Sequence, residues 1–282
     1  MTAPVVVGVE GTPSSHDALV WAALAARARH CPLEIVNAVG VPYADYDVSF
    51  DEAVEQHARS LLRTEAERAL EAAPGLEVRT EVDRETPARA LTARSETAAL
   101  VVVGSHRMSL AERVLSGSRS YQVAAGSRCP VAVVPALPGP GTSGVVVGVD
   151  GSPDGVAAVA LAAAEADRTG TDLHVVRAWQ EPAVYVSAEY LVGGFDEQLA
   201  ENERMLIGES VAGLAEKYPD LVVHQHLVRE QPATALLAAA ADARLLVVGS
   251  RGRHGVVRML LGSVSHTVVI HAPCPVLVVR TS

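Results

Sequence analysis

The residues in this sequence best suited to chemistry form one glycine-spaced stretch near its C-terminal end. An apolar run, Leu245-Leu246-Val247-Val248, stops at Gly249, and Gly252, Gly262 and Ser263 follow in the spacing Gly-x2-Gly-x9-Gly-Ser. The run reads as a buried parallel strand ending at a turn. Gly252 opens backbone conformations closed to other residues and lets a ligand come close to the main chain. Gly262-Ser263 then opens a new apolar segment over residues 264–270, the way a helix starts when its first N–H groups are left for an anion. The helix dipole favours that charge, and Ser263 and Ser265 add hydroxyl donors. The outline is a phosphate cradle, and the plain alternative is an ordinary strand–loop–helix joint. Asp150 ends another valine strand and is the one acid expected beside the cradle. Its carboxylate either contacts ribose hydroxyls or a phosphate-held metal, or accepts the Gly151 and Ser152 N–H groups as a turn aspartate.

Gly249-x2-Gly252-x9-Gly262-Ser263 resembles the nucleotide-binding signature of the universal stress protein family, and the resemblance extends over both halves of the chain. It implies adenine near Ala178, with backbone from Val149 and Val248. It places Gly249, Gly252, Gly262, Ser263, Val264 and Ser265 around the ribose and phosphates. It further implies ATP with Mg2+ as the ligand, and a regulatory role in the stress response, exercised through nucleotide-dependent conformation or an unknown protein partner. Arg251 and Arg253 flank the loop, either screening phosphate charge or facing solvent.

The first half carries the same positions in altered form. Val9, Ala38, Val103, Gly104, Gly117, Ser118 and Ser120 correspond to the second-half set. Glu10, however, replaces the aspartate with a side chain one methylene longer, Arg107 stands where the second glycine belongs, and Arg119 replaces Val264. The Arg107 Cβ would obstruct the backbone approach, although its guanidinium could grip a phosphate instead. Nucleotide affinity in the first half is therefore expected to be weaker, altered or absent.

The elements that position these residues are written twice. Val5-Val6-Val7-Gly8-Val9-Glu10-Gly11 returns as Val145-Val146-Val147-Gly148-Val149-Asp150-Gly151, and Cys129-Pro130 returns as Cys274-Pro275. The offset grows from 140 at Gly8/Gly148 to 145 at Gly104/Gly249, so a short insertion entered the second copy. A Pro/Gly-rich stretch over 135–144 separates them, giving domains 1–137 and 143–282. In the first copy the pattern predicts strands over 5–9, 33–39, 76–82, 100–103 and 131–134. Helices are predicted from a Ser14 or Ser15 cap to 28, then over 52–71, 87–95 and 118–126, with a loop at 42–51 containing Tyr43, Tyr46 and Phe50. The second copy predicts strands over 172–179, 221–228 and 276–279 and helices over 197–216 and 232–242. Alternating strands and helices mean parallel pairing with right-handed crossovers, an α/β fold of two tandem doubly wound domains. The resemblance makes these Rossmann-like domains of the adenine nucleotide alpha hydrolase-like type, each a five-stranded mostly parallel sheet flanked by helices. It also implies antiparallel pairing of the two last strands as an intrachain pseudo-dimer, with a homodimer of chains left open. Ligands in such sheets bind beyond the carboxyl ends of the strands, so the loops after the first and fourth strands should meet.

Composition narrows the function. A length of 282 residues fits two domains, and 49% hydrophobic with only 4% aromatic residues gives cores of Ala, Val and Leu. The formal charge of −10 argues against nucleic acid and anionic membranes as partners. No apolar run is long enough to span a membrane, and no signal core follows Met1. Three cysteines without C-x-x-C spacing fit a reducing, cytoplasmic setting. Lys217 is the sole lysine, which excludes a P-loop NTPase. His224 and His226 share a strand face but lack a third ligand nearby in sequence, and read as a partly exposed pair. Asp45, Asp47 and Asp51 lack EF-hand spacing, and no G-x-S-x-G elbow is present. The leading expectation is an ATP-binding regulator and not an enzyme. The alternatives are slow ATP hydrolysis or adenylate transfer with Asp150 as its acid, and a nucleotide-free interaction scaffold.

Overall fold

A computed structural model describes residues 2–40, 48–105, 119–180, 195–252 and 261–281, excluding the side chains of 48–51 and 195–199. In the first copy the valine runs become β1 (Val5–Gly8), β2 (Leu33–Ala38), β3 (Val78–Asp83), β4 (Leu100–Gly104) and β5 (Val131–Val134). Between them lie α1 (Pro13–Ala28), α2 (Val48–Ala72), α3 (Pro87–Arg94) and α4 (Arg119–Gly126). The second copy supplies β6 (Val145–Gly148), α5 (Pro153–Thr169), β7 (Leu173–Trp179), α6 (Phe195–Val211) and α7 (Leu214–Lys217). It continues with β8 (Val223–Arg229), α8 (Pro232–Ala239), β9 (Leu245–Gly249), α9 (Ser263–His271) and β10 (Val276–Val279).

The strands form one ten-stranded sheet in the order β3-β2-β1-β4-β5-β10-β9-β6-β7-β8. Each half is parallel, and the halves join where β5 and β10 pair antiparallel. In that pairing Ala132 lies opposite Leu277, and these are equivalent residues of the two copies. A local two-fold axis therefore passes between them. Tyr121 and His266, also equivalent, meet edge to face across the same axis with ring centroids 4.9 Å apart. The pairing satisfies two last-strand edges that would otherwise be open.

Both faces of the sheet carry a core that runs across this junction. On one face α1, α2 and α5 pack their alanines against Val5, Val7, Val145, Val147 and Leu277. On the other, α3, α4, α8 and α9 cover Val6, Val101, Val146, Leu246 and Val276. Strands buried on both faces read as unbroken apolar runs, and these do. No helix among the described residues is long and apolar enough to cross a membrane.

Among the differences from the expected elements, three have a clear local cause. Thr12 caps α1, with Ser15 at the third helical position completing a capping box, so neither serine is the cap itself. Residues 48–51, read as loop, form the start of α2, where the acidic pair Asp51-Glu52 suits a helix N-terminus; residues 41–47, with Tyr43, Tyr46, Asp45 and Asp47, lie outside the described residues. The single helix expected over 197–216 is two, because Gly213 adopts φ +78°, a left-handed conformation that breaks the α6–α7 run.

One buried ion pair crosses between the copies. Arg29, after α1, reaches Glu165 of α5, which also binds Arg168. Burial draws the Arg29 guanidinium below its ordinary value, while Glu165 works against that shift. Replacing one member of such a pair leaves a buried charge without its counter-ion. Glu165→Ala is accordingly expected to destabilise the chain by about 3 kcal/mol. Arg59→Ala, which removes the exposed Arg59–Glu55 pair, is expected to stay within about 0.5 kcal/mol. Urea denaturation of both variants checks the contrast.

Candidate functional site

β6 and β9 are neighbours at the centre of the second half, so the loops leaving their carboxyl ends face each other. Between them lies a cavity of about 500 Å³. Its floor is the strand ends: Val149 after β6, Ala178 near the end of β7, and Val248 in β9. Asp150, Gly249 and Gly252 form one wall, and Gly262, Ser263, Val264 and Ser265 at the start of α9 form another. The structure thus brings together all ten second-half residues picked from the sequence.

The glycines have separate jobs. A Cβ on Gly249 would sit 2.9 Å from the backbone carbon of Asp154, so this position is glycine because β9 runs hard against the start of α5. A Cβ on Gly252 would lie 2.7 Å from Asp150 Oδ2, and one on Gly155 would lie 2.8 Å from Asp150 Oδ1. Two glycines therefore clear the space on either side of the Asp150 carboxylate. The Ser152 N–H donates to Asp150 Oδ1 at 2.9 Å, so the turn-aspartate role is realised at one oxygen, and Oδ2 faces Gly252. Gly262 is the N-cap of α9 and makes no side-chain cap, and the first turn it opens, Ser263 to Ser265, lines the cavity.

A buried polar knot holds the two loops in place. The fully buried Ser250 donates through Oγ to Asp154 Oδ2 at 2.8 Å, and its carbonyl accepts the Gly262 N–H at 2.8 Å and Ser265 Oγ at 3.0 Å. Thr281 donates to Asp154 Oδ1 from its N–H at 2.9 Å, and Arg251 approaches the same carboxylate at 3.5 Å. Burial alone would raise the Asp154 carboxyl, but the hydrogen bonds from Thr281 and Ser250 and the Arg251 charge hold it below the ordinary range. Arg251 thus sits beside the Asp154 carboxylate and also lines the cavity, and Arg253 lies outside the described residues.

Sequence reading missed Arg177, Glu203, Trp179 and Gly155, all on the cavity wall. Arg177 is 9% exposed, pairs with Glu203 of α6, and donates to the Val149 carbonyl at 3.3 Å. Its signal was available: an arginine inside an apolar strand must find a partner. The partner itself, on a helix some 26 residues away, carried no signal. The Arg229 guanidinium stands 5.5 Å over the Trp179 ring and braces that wall.

The corresponding cavity in the first half measures about 110 Å³. Val9, Glu10, Ala38, Val103, Gly104, Arg119 and Ser120 line it, while Arg107, Gly117 and Ser118 lie outside the described residues. Glu10 does not press inward: it is exposed and pairs with Arg119 at 2.9 Å, also accepting Thr12 Oγ1. Ser15 stands where the second half has Gly155. Asn37 replaces Arg177 and makes the same contact, donating to the Val9 carbonyl at 2.7 Å.

The remaining candidates resolve differently. Burial pushes the Cys129 thiol up to about 11 and that of Cys274 to about 12, which leaves both protonated packing groups. His224 and His226 are not an isolated pair. Parallel pairing of β7 with β8 sets His174 beside His224, and the ligand atoms of Asp172, His174 and His224 lie within 4.8 Å of one another. Sequence spacing could not show this, because the third and fourth members come from the neighbouring strand.

Two stability results follow from the loop geometry. Gly249→Ala is expected to cost about 1–3 kcal/mol by forcing β9 off α5, and Gly252→Ala less, because the Asp150 side chain can swing aside. Because the folded Asp154 carboxyl titrates below the unfolded value near 3.9, its contribution is complete above that value and is lost as pH falls through the folded one. Asp154→Asn should therefore flatten the loss of stability below about pH 4, as measured by urea midpoints across a pH series.

The family model described as the universal stress protein family matches residues 1–135 and 143–280. The chain is 36% identical over 291 residues to a universal stress protein of Mycobacterium tuberculosis (strain ATCC 25618 / H37Rv), covering 99% of this chain and 97% of that one. It is 36% identical over 294 residues to one from Mycolicibacterium smegmatis, covering 98% and 96%. A universal stress protein from Archaeoglobus fulgidus DSM 4304 superposes with a TM-score of 0.73 at 21% identity, covering 99% and 96% of the two chains, which speaks for the fold. Matched in both copies and along its whole length by relatives at this identity, the chain belongs to the universal stress protein family.

Proposed function

We propose that the chain binds ATP with Mg2+ in the cavity of its second half and acts as a regulator, through nucleotide-dependent conformation or contact with a protein partner. The observation that carries this reading is the uncapped start of α9 facing a cavity of about 500 Å³ with a carboxylate oxygen on its far wall. That volume falls in the range of small-molecule sites, roughly 300–1,000 Å³. The residues present fit the ligand. Main-chain N–H groups of Ser263, Val264 and Ser265 receive phosphate oxygens, and Gly252 lets the chain approach them. Asp150 takes the ribose hydroxyls or the cation that the phosphates carry. Ala178 and Val248 give the adenine a small apolar seat between strands.

The division of labour is unequal. Domains 1–137 and 143–282 share one sheet, and the second holds the nucleotide while the first, with a cavity of about 110 Å³, binds it weakly or not at all. A regulator suits the described lining better than a catalyst does. It holds no lysine or histidine, and one oxygen of its acid is already engaged by Ser152.

Calorimetry with ATP and Mg2+ tests the reading. One site per chain is expected, and Asp150→Ala should weaken it about tenfold or more, the equivalent of one hydrogen bond to a charged group, with melting lowered only by the lost Ser152 contact. Two equal tight sites, or none, would overturn it. Phosphate release well above background that Asp150→Ala abolishes would favour the hydrolase.

A further inference from the structure

The opposite end of the second half carries a cluster that the nucleotide cavity does not use. Asp172 precedes β7, His174 is its second residue, and His224 and His226 lie on β8, the outer strand of the sheet. His174 and His224 are register partners, so all four positions present the same face. His174 Nδ1 lies 3.1 Å from His226 Nε2, and His224 Nε2 lies 2.8 Å from Asp172 Oδ2. The His174 and His224 rings stack with centroids 4.8 Å apart. Gly144, at φ +77°, backs the His174 ring so closely that a Cβ there would lie 3.0 Å from its Cδ2. The cluster is therefore braced from behind and open in front, where His224 and Asp172 are 43% and 50% exposed.

The first copy fills the neighbouring positions with an ion-pair cluster. There Glu34 and Glu81 occupy the places of His174 and His226, and they close on the guanidinium of Arg94 at 2.8 and 2.7 Å, with Asp83 as a third acid. Burial opposes the Arg94 charge, but the three carboxylates outweigh it and hold the guanidinium protonated. The residue equivalent to Arg94 in the second copy is Ala239. The same corner of the fold thus holds a built-in cation in one copy. In the other, the acids at Glu34 and Glu81 have become imidazoles and the cation is gone.

We propose that Asp172, His174 and His224 form a binding site for a divalent transition-metal ion, Zn2+, with water as its fourth ligand. Imidazole nitrogens with one carboxylate suit zinc and its first-row neighbours, whereas Mg2+ and Ca2+ prefer all-oxygen sets. At metal–ligand distances of about 2.0–2.2 Å, the ligand atoms of a tetrahedral site stand about 3.3–3.6 Å apart. The triad runs from 2.8 Å between His224 Nε2 and Asp172 Oδ2 to within 4.8 Å overall and so brackets that separation, which side-chain rotations can reach. The ion would clip the outer strand β8 to β7. Its place is independent of the nucleotide: His174 and Ala178 lie four residues apart on β7, about 13 Å along the strand.

The test uses the full chain, free of any affinity tag and nucleotide, stripped with chelator and titrated with ZnCl2 by calorimetry. One zinc per chain is expected, with affinity reduced by at least roughly tenfold in His174→Ala and in His224→Gln, and with no binding heat from MgCl2. The exposed His224 keeps the test usable where the His174 variant folds poorly. CoCl2 in place of zinc should give the intense visible bands of a tetrahedral ion. Zinc binding that survives both substitutions, a cobalt spectrum of the weak octahedral kind, or no binding would overturn the proposal.

Discussion

The second half depends on the close approach between the end of β9 and the start of α5. Backbone meets backbone there, with no room for a Cβ on Gly249, and the first copy repeats the contact more tightly, a Cβ on Gly104 lying 2.5 Å from the Ser14 carbonyl oxygen. Once those two chain segments touch, the loops after β6 and β9 have one arrangement left. Ser250 is then buried and must satisfy its hydrogen bonds, and it does so by binding Asp154, Gly262 and Ser265. That sets the start of α9 across the cavity from Asp150. The site follows from a packing constraint, with the polar knot as its consequence.

Internal duplication explains why the same constraint has two outcomes. Both copies keep the close-packed glycine and the valine strands, because the shared core demands them. They differ where a side chain faces the crevice: Glu10 against Asp150, Ser15 against Gly155, Asn37 against Arg177. The first copy ties Ser15 to Thr12 in the capping box, Glu10 to Arg119 and Asn37 to the Val9 carbonyl. The second keeps the space clear with glycine and holds its arginine back with Glu203. The β5–β10 pairing makes the two copies one sheet, so a change at one crevice has a continuous packed route to the other.

Much of this was legible in the residues. Valine runs marked the central strands, the two written copies marked the tandem plan, and the glycine spacing marked the cavity wall. The ten second-half residues came together because strand ends and a helix start are local features that sequence displays. What sequence hid was held by partners distant in the chain. Arg177 needed Glu203, Arg29 needed Glu165 of the other copy, and His224 needed His174 from the next strand. The helix break at Gly213 and the Thr12 cap turned on single backbone conformations, which periodicity averages away. Gly249, read as a phosphate position, proved to have a packing reason of its own as well.

The central claim is that the second crevice holds an adenine nucleotide on main-chain donors at the start of α9, while the first holds it weakly or not at all. The most direct measurement is a crystal structure of the full chain grown with ATP and Mg2+. The account predicts phosphate density against the N–H groups of Ser263 to Ser265, with Asp150 on the ribose or the cation and the first crevice weakly occupied or empty. A second crevice filled by its own side chains, or phosphates bound elsewhere on the chain, would contradict it.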